Sequence, residues 1–276
     1  MSQLTPPDLA TNAGSKAAAS DQNVLLRAEG ITLKFKGVTA LNNVSFEVRP
    51  GELFAVIGPN GAGKTSLFNV LTRVYQPEAG SIKFNGRNLL SLKTDQLAAA
   101  GIARTFQNLG LFPLMTVLEN LLTYRHHLMK SGVVAGGIRL GLSNREEKLH
   151  RQRCLEIAGF LGLGPWLHRI TRDLPYGVQK KIELARALAM EPKLLLLDEP
   201  VAGMNQVETE EIAEDIITIQ RDLGIAQILV EHDMGMVMGI ADRIMVLDFG
   251  QRIALGLPEE IQAHPEVIRA YLGQDA

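Results

Sequence analysis

Apolar and polar positions alternate in short runs from Val24 to Val48, which predicts strands of an antiparallel layer broken at Gly30, Gly37 and Asn42-Asn43. The stretch Glu52 to Asn69, ELFAVIGPNGAGKTSLFN, then reads as an apolar strand, a glycine-rich turn and a helix running to about Thr72. QPEAGSIKFNGRNLL predicts a turn, a strand, a tight Asn85-Gly86 turn and a second short strand. Gln96 to Ala100 suggests a helix closed by Gly101, and GIARTFQN a strand entering a loop at Gln107. From Thr116 to Met190 the spacing becomes helical, with a glycine-rich break at Gly132 to Gly141.

Strand character returns at Lys193 with KLLLLDEP, where four consecutive leucines imply a strand covered on both faces. Val207 to Leu223 is an amphipathic helix ending at Gly224. AQILVEHD and ADRIMVLD are two more buried strands, GQRIALG pairs back as a hairpin arm, and Pro258 to Leu272 closes with a short helix. The predicted organisation is a disordered extension over 1–22, a domain over 23–256 and a helical tail over 257–276. Within the domain, 23–110 and 191–256 form the core and 111–190 a helical subdomain.

Composition adds limits rather than chemistry. At 276 residues the chain can bury a sizeable core, and a formal charge of −2 gives no argument for nucleic acid or an anionic membrane surface. The single cysteine, Cys154, excludes an internal disulfide and fits a reducing compartment as a small buried residue. No run approaches the roughly 18 to 20 apolar residues of a membrane-spanning helix. His126 and His127 are adjacent and cannot share a helix face, so they read as surface residues. Trp166 reads as a helix-end packing residue, and Met234, Met236 and Met238 as filler.

The chemistry begins at the glycine-rich turn. Gly58, Gly61, Gly63, Lys64 and Thr65 satisfy the whole G-x-x-x-x-G-K-[ST] pattern between a strand and a helix. Glycines let backbone N–H groups turn inward, and the helix points its positive end at the same spot, so a phosphate belongs there. Asn60 and Ala62 complete the cradle, and Ser66 is counted with it although its hydroxyl is expected to face the helix. Lys64 is placed to reach β- and γ-phosphates and Thr65 to coordinate magnesium. Far downstream, Asp198 and Glu199 stand at the carboxyl end of a buried strand, where open α/β sheets bind ligands. Asp198 suits magnesium held through water, and Glu199 suits orienting or deprotonating the attacking water. Together they describe a P-loop nucleotidase that uses Mg2+ as its cofactor.

GPNGAGKTS, RTFQN, LPYGVQKKIELARALAMEPKLLLLDEP, VAGMN and ILVEHD stand in the order found in ATP-binding subunits of ABC transporters, and the chain after residue 22 resembles that family. The resemblance implies an α/β fold, a P-loop NTPase core with an antiparallel β layer and an inserted helical subdomain. It implies Gln107 as a sensor of magnesium and the attacking water, His232 as the switch histidine at the γ-phosphate and Phe35 as the aromatic stacked on adenine. On residues alone, a packed strand residue is the alternative reading of Phe35.

At the signature, usually LSGGQ, this chain reads LPYGVQ over 174–179, with Pro175 in place of serine and Tyr176 in place of the first glycine. Gly177 and the helix after it are left to meet the phosphate of an opposite subunit, and slow hydrolysis by a homodimer is expected. RTFQNLGLFPLMTVLEN, AGMN, EHDM and HPEVIRAYLG resemble the ATPases of branched-chain amino-acid importers, with urea and amide importers nearby. The resemblance further implies a dimer with itself or a second ABC ATPase at the cytoplasmic face of the membrane. It also implies integral-membrane permease subunits, with an external solute-binding protein acting indirectly. Asn108 to Leu122 is unusually apolar, and part of it is expected to form the groove for a permease helix. Two competing classes are a DNA- or ribosome-directed ABC ATPase, for which no coiled coil, second cassette or basic arm is visible, and a weakly active nucleotide-binding regulator.

Overall fold

The computed structural model describes residues 24–105, 110–125, 128 and 141–272, without the side chains of 141–145 and 272. The 1–22 extension, Gln107, the His126-His127 pair and most of the glycine-rich break lie outside the described residues.

Two sheets organise the chain. The first is antiparallel, with order β2-β1-β4-β5 for β1 (Leu26–Phe35), β2 (Val38–Val48), β4 (Ala79–Phe84) and β5 (Arg87–Asn88). The second runs β10-β9-β3-β8-β7-β6 through β3 (Leu53–Ile57), β6 (Ile102–Arg104), β7 (Leu194–Asp198), β8 (Ala226–Val230), β9 (Arg243–Asp248) and β10 (Gln251–Gly256). It is parallel except for β10, which hairpins back on β9. The helices are α1 (Lys64–Leu71), α2 (Leu97–Ala100), α3 (Val117–Tyr124), α4 (Gly141–Phe160) and α5 (Tyr176–Ala189). They continue with α6 (Gln206–Leu223), α7 (Met234–Ile240), α8 (Pro258–Gln262) and α9 (Pro265–Leu272).

The leucine run of β7 explains itself through the pleat. Leu195 and Leu197 enter one core with α3, α4, α5, α6 and α7, while Leu194 and Leu196 enter another with α1 and the antiparallel layer. Successive side chains point to opposite faces, so a strand between two cores needs an apolar residue at every position. β3 divides in the same way, Ala55 and Ile57 to one side and Phe54 and Val56 to the other. Helix boundaries follow local chemistry. Thr116 with Glu119, and Asn205 with Glu208, form reciprocal capping boxes at α3 and α6, and Gly224 ends α6 in the left-handed conformation.

Two expectations are corrected. The first layer is not a set of short runs: β1 and β2 are ten and eleven residues long, and only Lys36-Gly37 breaks them. Gly30 and Asn43, at φ +63° and +54°, are absorbed as irregularities within the ladder, where the Ser45 hydroxyl accepts the Gly30 N–H at 2.8 Å. A bulge spends one residue on twist without ending the pairing. The tail is also two helices rather than one, since α8 ends before Ala263 and Pro265 opens α9.

Candidate active site

Three neighbouring strands of the parallel sheet bring their carboxyl ends together. Val56 of β3 lies opposite Val230 of β8, and Val230 lies opposite Asp198 of β7. The residues that follow are the glycine turn, the Glu231-His232 corner and Glu199, so segments over a hundred residues apart converge on one sheet edge.

A cavity of about 370 Å³ opens there, lined by Asn60 to Ser66, Glu199, Phe249 and the start of β2 at Val38, Thr39 and Ala40. Its backbone demands glycine at two points. A Cβ on Gly58 would lie 2.1 Å from the Leu247 carbonyl oxygen, and one on Gly63 would lie 2.7 Å from that of Ala40. Both have positive φ, +148° and +103°. Gly63 precedes α1, whose first turn has no side-chain cap, so its N–H groups face the cavity end of the helix. Lys64 is nearly buried, and its Nζ donates to the carbonyls of Gly58 and Pro59, the latter at 2.9 Å. Burial pushes its pKa down, and the charge of Glu199 opposes that shift.

Glu199 holds φ +47°, costly for a residue with a side chain, and its N–H donates to the Val230 carbonyl at 2.9 Å. That bond fixes the carboxylate-bearing residue to the neighbouring strand. Asp198 is buried beneath it, with Oδ2 accepting from Arg104 Nη2 at 2.5 Å. Arg104 also donates to Asn69 Oδ1 at 2.9 Å and Thr72 Oγ1 at 3.1 Å, both at the end of α1, and lies over the Phe68 ring. This guanidinium therefore ties the phosphate-loop helix to the acidic strand. Its only signal in the sequence was a charge on an otherwise apolar edge strand.

The remaining predicted residues stand around this centre. His232 follows Glu231 with its ring 65% exposed and Nδ1 3.5 Å from Glu231 Oε2. Phe35 ends β1 and packs edge-on against Tyr75 at 4.9 Å, outside the cavity walls. Gly177 lies in the first turn of α5, where an added Cβ would meet Glu208 Oε1 at 3.1 Å. Pro175 caps that helix with no side-chain acceptor, and Tyr176 Oη donates to the Ala202 carbonyl at 3.1 Å. Sequence reasoning missed this link, as it missed Glu183 and Arg186 of α5. Glu183 accepts from the Gly110 N–H at 3.3 Å and Arg186 donates to the Gly110 carbonyl at 2.6 Å, holding that residue from both sides.

Thr65 and Asp198 supply the hard oxygen donors magnesium prefers. Among the described residues no group of three or more His, Cys, Asp or Glu forms a metal cage. Magnesium at a nucleotide needs none, because phosphate oxygens and water complete its shell around one or two protein oxygens. The residues present fit that ion, and the glycine cradle fits a phosphate chain.

Such a loop, paired acids and inserted helices on this sheet define an ATP-binding cassette ATPase. The chain belongs to the ABC transporter family, whose pattern it matches over residues 41–202, and residues 251–276 match the family described as branched-chain amino acid ATP-binding cassette transporter. It is 43% identical over 250 residues to the high-affinity branched-chain amino acid transport ATP-binding protein LivG of Salmonella typhimurium, covering 91% of this chain and 98% of that one. To BraF of Pseudomonas aeruginosa, similarly described, it is 38% identical with the same coverage. Among solved structures it resembles the ADP conformation of an ABC transporter cassette, at TM-score 0.78 and 28% identity, covering 91% of this chain and 99% of that one. A nucleotide-free cassette is similar at TM-score 0.78 and 30% identity, with 90% and 98% covered. The chain is thus an ABC-type ATPase that binds nucleotide.

Proposed function

We propose that this chain is the motor of an importer for branched-chain amino acids, with Gly58 to Ser66 cradling the phosphates of ATP and Glu199 orienting the attacking water. The observation that carries the reading is the shared edge of β3, β7 and β8, which sets Lys64 and Glu199 on one cavity. Magnesium, held by Thr65 and by Asp198 through water, would neutralise charge on the transferring phosphoryl group. Lys64 places its ammonium against the β- and γ-phosphates after leaving the two loop carbonyls it now holds. Glu199 takes or directs the proton of water, Gln107 senses the assembled site, and His232 contacts the γ-phosphate. Phe35 stacks on the adenine.

Two such subunits, identical or not, sandwich ATP so that Gly177 and the start of α5 close over the partner's phosphate. Among the described residues no helix is long and apolar enough to cross a membrane. In this reading the subunits work on integral-membrane permease subunits. Phe112, Leu114 and Met115 are exposed apolar residues before α3 and suit a permease helix. The complex then lies at the cytoplasmic face, with an external binding protein delivering the solute. The amino-acid class rests on the names of the relatives.

Reconstitution with permease and binding protein tests this. Glu199→Gln is expected to lower ATP turnover about 10²- to 10⁴-fold, and Lys64→Ala to abolish it, both stopping leucine accumulation in vesicles. Full leucine accumulation by either variant would refute the motor reading. Rapid ATP turnover without uptake of any branched-chain amino acid would refute the solute.

A further inference from the structure

Glu231, the residue after β8, has no exposed surface. Its Oε1 accepts the Val201 N–H at 3.1 Å and its Oε2 accepts the His232 N–H at 3.0 Å, with the Asp233 N–H also directed at the carboxylate. A buried carboxylate is costly unless its lone pairs are satisfied, and here main-chain donors from two different loops satisfy it. Burial pushes its pKa up, and those N–H groups oppose the shift. An apolar residue would fill the space more cheaply, so the charge has a use beyond packing.

The two loops it joins are those of the proposed chemistry. Val201 opens the turn after Glu199, in which the Ala202 N–H donates to the Glu199 carbonyl at 3.2 Å and Met204 N–H to the Val201 carbonyl at 3.1 Å. On the far side of the same turn Tyr176 holds the Ala202 carbonyl. We propose that Glu231 is a positioning residue that fastens the turn after Glu199 to the main chain of His232, so that carboxylate, turn and histidine move as one piece. This rests on the roles given above to Glu199 and His232.

A glutamine at 231 can accept from one loop only, because its amide NH2 would face an N–H of the other. In the protein without nucleotide, Glu231→Gln is expected to speed amide hydrogen exchange across 201–204 about tenfold, the loss of one charge-assisted bond. Exchange within α6 should stay unchanged. In steady-state assays kcat should fall about tenfold, with KM for ATP within about twofold.

Gln227→Leu is the comparator. Gln227 is equally buried, on the strand that leads to Glu231, and donates to the Ile216 carbonyl at 2.7 Å. It should lower the melting temperature while keeping kcat. Unchanged exchange at 201–204 in Glu231→Gln would overturn the proposal. So would an equal loss of kcat in Gln227→Leu, or a rise in KM at constant kcat. Should Glu199→Gln and His232→Ala both retain full turnover, the catalytic reading fails instead, and the exchange data still decide whether the tie exists.

Discussion

Replacing Arg104 by methionine keeps most of the side-chain volume and removes the guanidinium that pairs with Asp198. The pair is buried on both sides, with 12% of the Arg104 and 5% of the Asp198 side chain exposed. Removing one partner of such a pair leaves a charge without compensation and costs about 3–5 kcal/mol. Lost hydrogen bonds to Asn69 and Thr72 act in the same direction. At about 2–4 °C per kcal/mol for a domain of comparable size, the melting temperature of the nucleotide-free protein should drop by roughly 6–20 °C. Calorimetry or circular dichroism reads it directly. The cause is isolated by adding Asp198→Asn, which removes the stranded charge and should recover about half of the loss or more. A melting temperature within about 2 °C of the parent would refute the argument that Arg104 holds these elements together. A double variant no more stable than Arg104→Met would refute the electrostatic part alone.

Two further outcomes follow from other parts of the fold. Cys154 is fully buried and its thiol is pushed up to about 11 by burial, so at pH 8 only about one molecule in a thousand carries thiolate. Ellman's reagent should therefore leave the native protein unlabelled for an hour and react within minutes in guanidinium; fast native labelling would show the α4 core to be open. Pro175→Ser gives α5 a capping hydroxyl worth about 0.5–2 kcal/mol and releases unfolded-chain entropy worth about 0.4–1 kcal/mol. Stability should thus hardly change while ATP turnover of the purified chain rises, and unchanged turnover would contradict a signature limited by that proline.

The parallel core was legible because its strands are buried on both faces and carry unbroken apolar runs. Helix ends were legible where the chain writes its own caps, as at Thr116 and Gly224. The antiparallel layer misled because glycine and asparagine signal turns and bulges alike, and only the partner strand decides which forms. In the site, the glycine loop and the Asp198-Glu199 pair announce themselves through local pattern. Arg104, Glu231 and Tyr176 do not, since each has a partner 26 to 94 positions away. Nothing local separates a load-carrying charge at a strand end from an ordinary polar edge.

The place of β3 in the sheet also sets when the phosphate loop becomes usable during synthesis. Both strands that flank β3 come from the last third of the chain, β8 and β9. A ribosome that has released only the first two hundred residues exposes a complete glycine motif on a strand with no neighbour on either side. Nucleotide capture therefore requires β8 and β9 beside β3, and a chain cut before them carries the motif without the grip.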